Sequence, residues 1–267
     1  MAKIRTIVDL VKRTAKDEDE ETTAPALPED DCPPDIVEAE MTLMDHLIEL
    51  RDRIMKAALG LAVGTVVGFI FARQAFDLLI NPLPEEAQVI ALSPTDSIFM
   101  YFKVALILGL IISMPVILYQ VIMFIIPGLY PHERRYLYWL LPAGTIAFAA
   151  GTLFSAFIVI PFSIRYLSGF MADIISPTYQ VQNYIGFVTT LMFWIGIVFE
   201  MPLIIYFLSK LGVVDYKKLA SARRYAIVGI AVLAAVITPT PDPVTMLLVM
   251  GPLVLLYELG VQLARIA

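Results

Sequence analysis

Residues 127–136 read Pro127-Gly128-Leu129-Tyr130-Pro131-His132-Glu133-Arg134-Arg135-Tyr136, a charged, Pro/Gly-stiffened connection between two long apolar runs. The run before it extends from about residue 98 to 126, and the run after it from about 136 to 160. Each exceeds the roughly 20 residues that cross a bilayer core of about 30 Å at about 1.5 Å per residue. The stretch is therefore a short loop between two membrane crossings. Two questions follow: which side of the membrane it faces, and what its carboxylate, Glu133, is for.

Composition agrees with a membrane protein. Of 267 residues 59% are hydrophobic and the mean hydropathy is +0.78, against about half apolar in soluble domains. The net charge of −6 is misleading, because residues 17–40 carry eleven acidic residues and no basic one, which leaves a mildly basic body. Two regions result. Residues 1–40 combine a basic amphipathic stretch, with Ile4, Ile7, Val8 and Val11 at helical spacing, and an acidic, Pro-rich linker expected to be disordered. No apolar h-region precedes the linker, so no cleavable signal peptide is expected. Residues 41–267 form the membrane domain.

That domain begins with Leu43, Met44, Leu47, Leu50 and Ile54 along one face of an interfacial helix, which leads into an apolar run over about 55–72. The runs around 98–126 and 136–160 follow, the first interrupted by Lys103 and by Pro115, whose missing N–H favours a kink. A fourth run, about 185–208, contains Glu200 and Pro202. The last two, 225–237 and 244–259, are short and joined by the hairpin Thr238-Pro239-Thr240-Pro241-Asp242-Pro243. Thirteen helical residues span about 20 Å, so this pair is expected to thin the bilayer or to be sheltered by neighbours. The predicted fold is all-α and polytopic, with six transmembrane helices of which the last two are short.

Orientation follows from Lys/Arg bias. With a cytoplasmic N-terminus, residues 1–56, 127–136, 209–224 and the C-terminal end hold 16 of the 19 Lys+Arg. The positive-inside rule therefore puts both termini, the 127–136 loop and Glu49 at the cytoplasmic face.

Little enzyme chemistry is available. His132-Glu133-Arg134-Arg135-Tyr136 starts like a zinc-binding H-E-x-x-H, but Tyr136 replaces the second ligand. There is no G-x-S-x-G elbow, P-loop or dinucleotide fingerprint. The single cysteine, Cys32, has no partner for a disulfide or a metal site, and His46 and His132 are the only histidines. No catalytic residue, metal or cofactor is assigned.

The carboxylates are more informative. Glu49, beside Arg51 and Arg53, and Glu133, beside Arg134 and Arg135, share the cytoplasmic face. Two readings are open at this point: balanced interfacial anchors, or a receptor for a cationic group such as a guanidinium, which binds carboxylates bidentately. Glu200 lies within a span, where an ionisable residue costs on the order of 3 kcal/mol to insert and usually faces a partner or cavity. Glu258 lies nearer a helix end and is the weaker candidate. A rival class, a secondary transporter or proton-coupled channel using Glu200, predicts an internal repeat; residues 41–136 and 137–265 show none.

The motif His46-Leu47-Ile48-Glu49-Leu50-Arg51-Asp52-Arg53 resembles the H-L-x-E-L-R-x-R signature of the TatC family, and residues 127–135 resemble its first cytoplasmic loop. Ser93-Pro94, Tyr119-Gln120, Phe199-Glu200-Met201-Pro202 and Thr240-Pro241-Asp242 are similar to further family positions, and together the likeness covers roughly 41–265. It implies a receptor in the cytoplasmic (inner) membrane that binds twin-arginine signal peptides on folded cargo. Such a receptor assembles with TatA- and TatB-type single-span proteins, in homo-oligomeric copies, for export driven by the proton-motive force; nucleic acid is not an implied partner. By residue, the resemblance implies signal-peptide binding at Glu49 and Glu133, with His46 and Arg51 in the same motif. It implies partner-helix or intramembrane polar roles for Glu200 and Gln120.

Overall fold

The computed structural model describes residues 43–84, 88–128, 134–170, 178–238 and 242–266. Expectations for residues 1–42, for His132 and Glu133, and for residues 239–241 of the proline hairpin lie outside the described residues. Residues His46–Ala267 pack as one unit.

Helix α1 (Leu43–Ile80) is one continuous element of 38 residues. The interfacial stripe and the first span are therefore a single rod, because no Gly-Pro pair or cap interrupts residues 51–57. Helix α2 (Asp96–Ile125) continues past Pro115 without ending there and closes in a 3₁₀ turn at Ile126–Gly128. Helix α3 (Arg134–Phe154) does not stop near residue 160 as expected. It widens into a π turn at Ser155–Val159 and continues as α4 (Ile160–Gly169). Pro161 has no N–H for the Phe157 carbonyl, and the chain absorbs the missing bond by widening the preceding turn rather than by ending the helix.

Helices α5 (Val181–Phe199) and α6 (Met201–Lys210) are two halves of the fourth run, divided at Glu200. A short basic helix α7 (Tyr216–Ser221) leads to α8 (Arg223–Ile237) and α9 (Pro243–Ile266). The expectation that both last helices are short holds for α8, whose 15 residues span about 22 Å. It fails for α9: Gly260–Ile266 extends the apolar run by two more turns, giving 24 residues. Among the described residues five stretches are long and apolar enough to cross a membrane: Met44–Ile80, Asp96–Gly128, Leu137–Gly169, Val181–Lys210 and Pro243–Ile266.

The architecture is almost wholly helical, with one addition to the all-α expectation. Strands β1 (Gln88–Ile90) and β2 (Thr178–Gln180) pair in parallel, Val89 opposite Tyr179, and tie the α1–α2 connection to the α4–α5 connection. Asp96 fixes the entry to α2: its Oδ2 accepts from the backbone N–H groups of Leu92 and Ser93 at 3.2 and 3.0 Å. Tyr184 at the start of α5 donates to the Leu79 carbonyl at 2.6 Å.

Helix α5 is the hub. It packs against α2 and α3, while α9 packs on α6 and α8. Val188, Leu191 and Ile195 of α5 are fully buried with Val104 of α2 and Val159 beyond α3. A smaller apolar cluster of Ile122, Leu137 and Phe207 joins the opposite ends of α2, α3 and α6. Helix α1 is held differently. Gly60, Gly64 and Gly68 recur every four residues and face α2; a Cβ on Gly64 would lie 2.6 Å from the Gly109 carbonyl oxygen, and one on Gly109 would lie 2.5 Å from the Thr65 backbone. Without a hydrophobic effect between helices in lipid, such small-residue seams let backbones approach closely enough for dispersion to hold them. Away from the seam, Leu59, Val63, Val66 and Ile70 of α1 are exposed and lipid-facing in character, while Ala72 and Leu79 near its end are buried.

Candidate functional site

The α1–α2 seam sets the register of the two helix ends that carry most of the predicted site. On α1, His46, Glu49 and Arg53 fall at i, i+3 and i+7, on one face. On α2, Gln120 and Phe124 are one turn apart and meet that face. The His46 ring stacks on Phe124 at 4.4 Å between centroids. Arg53 Nη2 donates to Glu49 Oε1 at 3.1 Å, and Arg53 Nη1 donates to Gln120 Oε1 at 3.4 Å. Arg53 therefore bridges the two helices and orients the Glu49 carboxylate from its own helix.

Only one oxygen of Glu49 is used in this way. Glu49 Oε2 is buried and has no hydrogen-bond partner among the described residues. A carboxylate lone pair that is removed from water and left unmatched costs free energy, about 1–3 kcal/mol or more for a charged group. Among the described residues it is an unmatched acceptor.

Arg51 stands apart from this group. It points away from Glu49, its side chain is 77% exposed, and it pairs with Asp52 at 3.1 Å; Glu49 and Arg53 are 17% and 21% exposed. Of the two arginines beside Glu49 in the sequence, Arg53 is the one that pairs with it, as its i, i+4 spacing allows. Gln120, grouped from sequence with Glu200, instead contacts Arg53. Glu133 lies outside the described residues.

Glu200 makes a second, separate constellation. It caps α5 and starts α6: its N–H donates to Ile197 O at 3.0 Å, and its carbonyl accepts from Leu203 and Ile204 at 3.1 and 3.0 Å. Pro202 supplies the break, since it has no N–H to continue α5. The side chain is only 8% exposed, and Oε1 is buried without a hydrogen-bond partner among the described residues. Gly144 of α3 makes room for it: a Cβ there would lie 2.9 Å from Glu200 Oε2 and 2.9 Å from Leu118 Cδ1. No cation is paired with Glu200 among the described residues.

Glu258 has a structural explanation. It accepts from Arg223 Nη2 at 2.6 Å, joining α9 to the start of α8. Among the described residues no group of three or more His, Cys, Asp or Glu side chains is placed to hold a metal ion.

The whole arrangement has close relatives. A family model described as TatC, Sec-independent protein translocase protein, matches residues 45–252. The Sec-independent protein translocase protein TatC of Deinococcus radiodurans is 40% identical over 243 residues, 88% of this chain and 89% of that protein. Its counterpart from Aquifex aeolicus is 40% identical over 232 residues, 85% of this chain and 96% of that protein. A solved structure described as the twin arginine translocase receptor TatC superposes with a TM-score of 0.74 at 40% identity, covering 83% of this chain and 98% of its own. A second, obtained in the detergent DDM, gives 0.76 at 41% identity, with 82% and 99% covered. This chain belongs to the TatC family, the multispanning component of the Sec-independent protein translocase.

Proposed function

We propose that this chain is the signal-peptide receptor of a twin-arginine translocase, with Glu49 and Glu133 as its reading carboxylates. The observation that carries the reading is Glu49 Oε2, buried and without a donor among the described residues while Arg53 occupies the other oxygen. An incoming guanidinium supplies planar N–H donors that match this acceptor, and Arg53 with Gln120 holds the carboxylate ready for it. Glu133, in the loop 127–136, is the second acceptor for a consecutive arginine. His46, stacked on Phe124, forms the wall beside Glu49, and Arg51 anchors the helix at the headgroups.

In this reading the chain crosses the cytoplasmic membrane six times, α8 being the short crossing, with both termini and the Glu49 end on the cytoplasmic side. The bias of Lys and Arg toward that end supports the orientation. Glu200, unpaired and buried at the α5–α6 break, is the contact for a polar group on a TatA- or TatB-type partner helix. Folded cargo is then exported at the expense of the proton-motive force by an assembly that contains several copies of the chain.

Peptide binding to the purified full chain tests the receptor assignment. A twin-arginine peptide is expected to bind at least about tenfold more tightly than its twin-lysine analogue, which keeps the charge and loses the planar fork. Glu133→Ala should remove most of that preference. Equal affinity for the two peptides, or an unchanged preference in Glu133→Ala, would refute the assignment.

A further inference from the structure

At the end of the bundle remote from Glu49, a cavity of about 520 Å³ opens between α2, α4 and α5. It is built around Lys103, the only charged residue of α2 after Asp96. A lysine in so apolar a helix is costly to place unless something meets its charge. Among the described residues nothing does, for Lys103 makes no hydrogen bond or ion pair there. Its ammonium extends across the cavity to α5, where a Cβ on Gly186 would lie 3.6 Å from Nζ.

The rest of the lining specifies the ligand. Among the described residues no Asp or Glu lines the cavity. The Tyr184 hydroxyl is committed to Leu79 O, the Tyr179 hydroxyl to Ser168 and one Asn183 N–H to Gln180 Oε1, so among the described residues Gln182 and Thr190 are the lining side chains with wholly uncommitted donors. One cation and two neutral donors, with no acid among them, suit an anion with several acceptor oxygens. Ile164, Leu167 and Phe187 line the same cavity and give it an apolar wall. A free inorganic anion would leave that wall unused, whereas the ester of a phosphate with a fatty-acyl glycerol would cover it.

We propose that this cavity binds a phosphate group, held by Lys103, Gln182 and Thr190 and presented by the headgroup of an anionic phospholipid. The site is separate from Glu49 and from Glu200 and makes no use of either.

Native mass spectrometry of the full chain in detergent tests it, with phosphatidylglycerol, a diacylglycerol of the same chains and inorganic phosphate as probes. Lys103→Gln should lose phosphatidylglycerol by about tenfold relative to the parent and Lys103→Arg should retain it, while diacylglycerol binds weakly to all three. Gly186→Leu, which fills the cavity and leaves the charge, should lose it as well. Inorganic phosphate that binds through Lys103 and displaces the lipid would support the phosphate site and make the free anion its source. Phosphatidylglycerol alone binding through Lys103 makes the source the lipid. Should Lys103→Gln fail to fold, Gln182→Leu with Thr190→Val keeps the cation and should weaken the lipid about threefold. Lipid binding within about twofold of the parent in Lys103→Gln or in that double variant, or diacylglycerol binding as tightly as phosphatidylglycerol, overturns the proposal.

Discussion

Glu49 and Glu200 are the same side chain with the same defect, one carboxylate oxygen buried and unpartnered among the described residues, in opposite company. Glu49 has an arginine four residues along its own helix and a glutamine on the next helix, so its charge is compensated and its orientation fixed. Glu200 has neither; it sits at a helix break against Gly144 and Leu118. In the proposed reading, surroundings rather than residue type separate the two roles. A carboxylate with a local cation and one vacant oxygen is prepared to recognise a second cation, whereas a carboxylate with no cation is a polar defect that a neighbouring molecule must complete.

The comparison can be broken most strongly at its glycines. Gly144→Leu drives a side chain into the space of Glu200, and Gly64→Leu drives one into the backbone of Gly109, which cannot move aside. Overpacking of this kind costs about 1–3 kcal/mol, more where backbone is hit, and thermal unfolding in detergent should register both. Their other effects should diverge. Gly64→Leu separates the helix ends that carry Glu49 and Gln120 and should also weaken peptide binding, while Gly144→Leu leaves that end intact.

The signs of two further substitutions should be opposite. Glu200→Leu removes an unmatched buried carboxylate and should stabilise the isolated chain by about 1 kcal/mol or more. Glu49→Leu removes the partner of Arg53 and should destabilise it by about 1 kcal/mol. Equal signs in the same melting experiment would mean that the two environments do not differ as described. Smaller effects should follow at the margins. Gln120→Leu loses one long hydrogen bond to Arg53 and should weaken twin-arginine peptide binding about threefold. Arg51→Ala, exposed and paired only with Asp52, should change it by less than about twofold.

These contrasts also mark how far the chain could be read without coordinates. The apolar runs and the shortness of α8 were legible, because span length is a local property; the division at Glu200 was not read, although Pro202 carried a signal for it. The continuation of α3 into α4 was not: Pro161 looks like a stop, and only packing of Ile160 and Ile164 into the core explains why a widened turn is preferred to an end. Helix α9 runs past residue 259 for a similar reason, since Val261 and Ala264 are buried. At the site, Glu49 and Gln120 were named but placed in different groups, because which faces of α1 and α2 meet depends on the glycine seam. That seam had a signal, Gly60, Gly64 and Gly68 at four-residue spacing, which the carboxylate-centred reading passed over. Lys103 was noted as an interruption of a span; the cavity that gives it meaning is built by residues some 80 positions away.

The proposed assignment of the arginine pair to Glu49 rather than Glu200 is tested by measuring the affinity of a twin-arginine peptide for the purified full chain carrying Glu49→Ala or Glu200→Gln. The expected result is a loss of about tenfold, roughly 1.4 kcal/mol, for Glu49→Ala and a change within about twofold for Glu200→Gln. Equal affinities for parent and Glu49→Ala, or a larger loss for Glu200→Gln than for Glu49→Ala, would contradict the account.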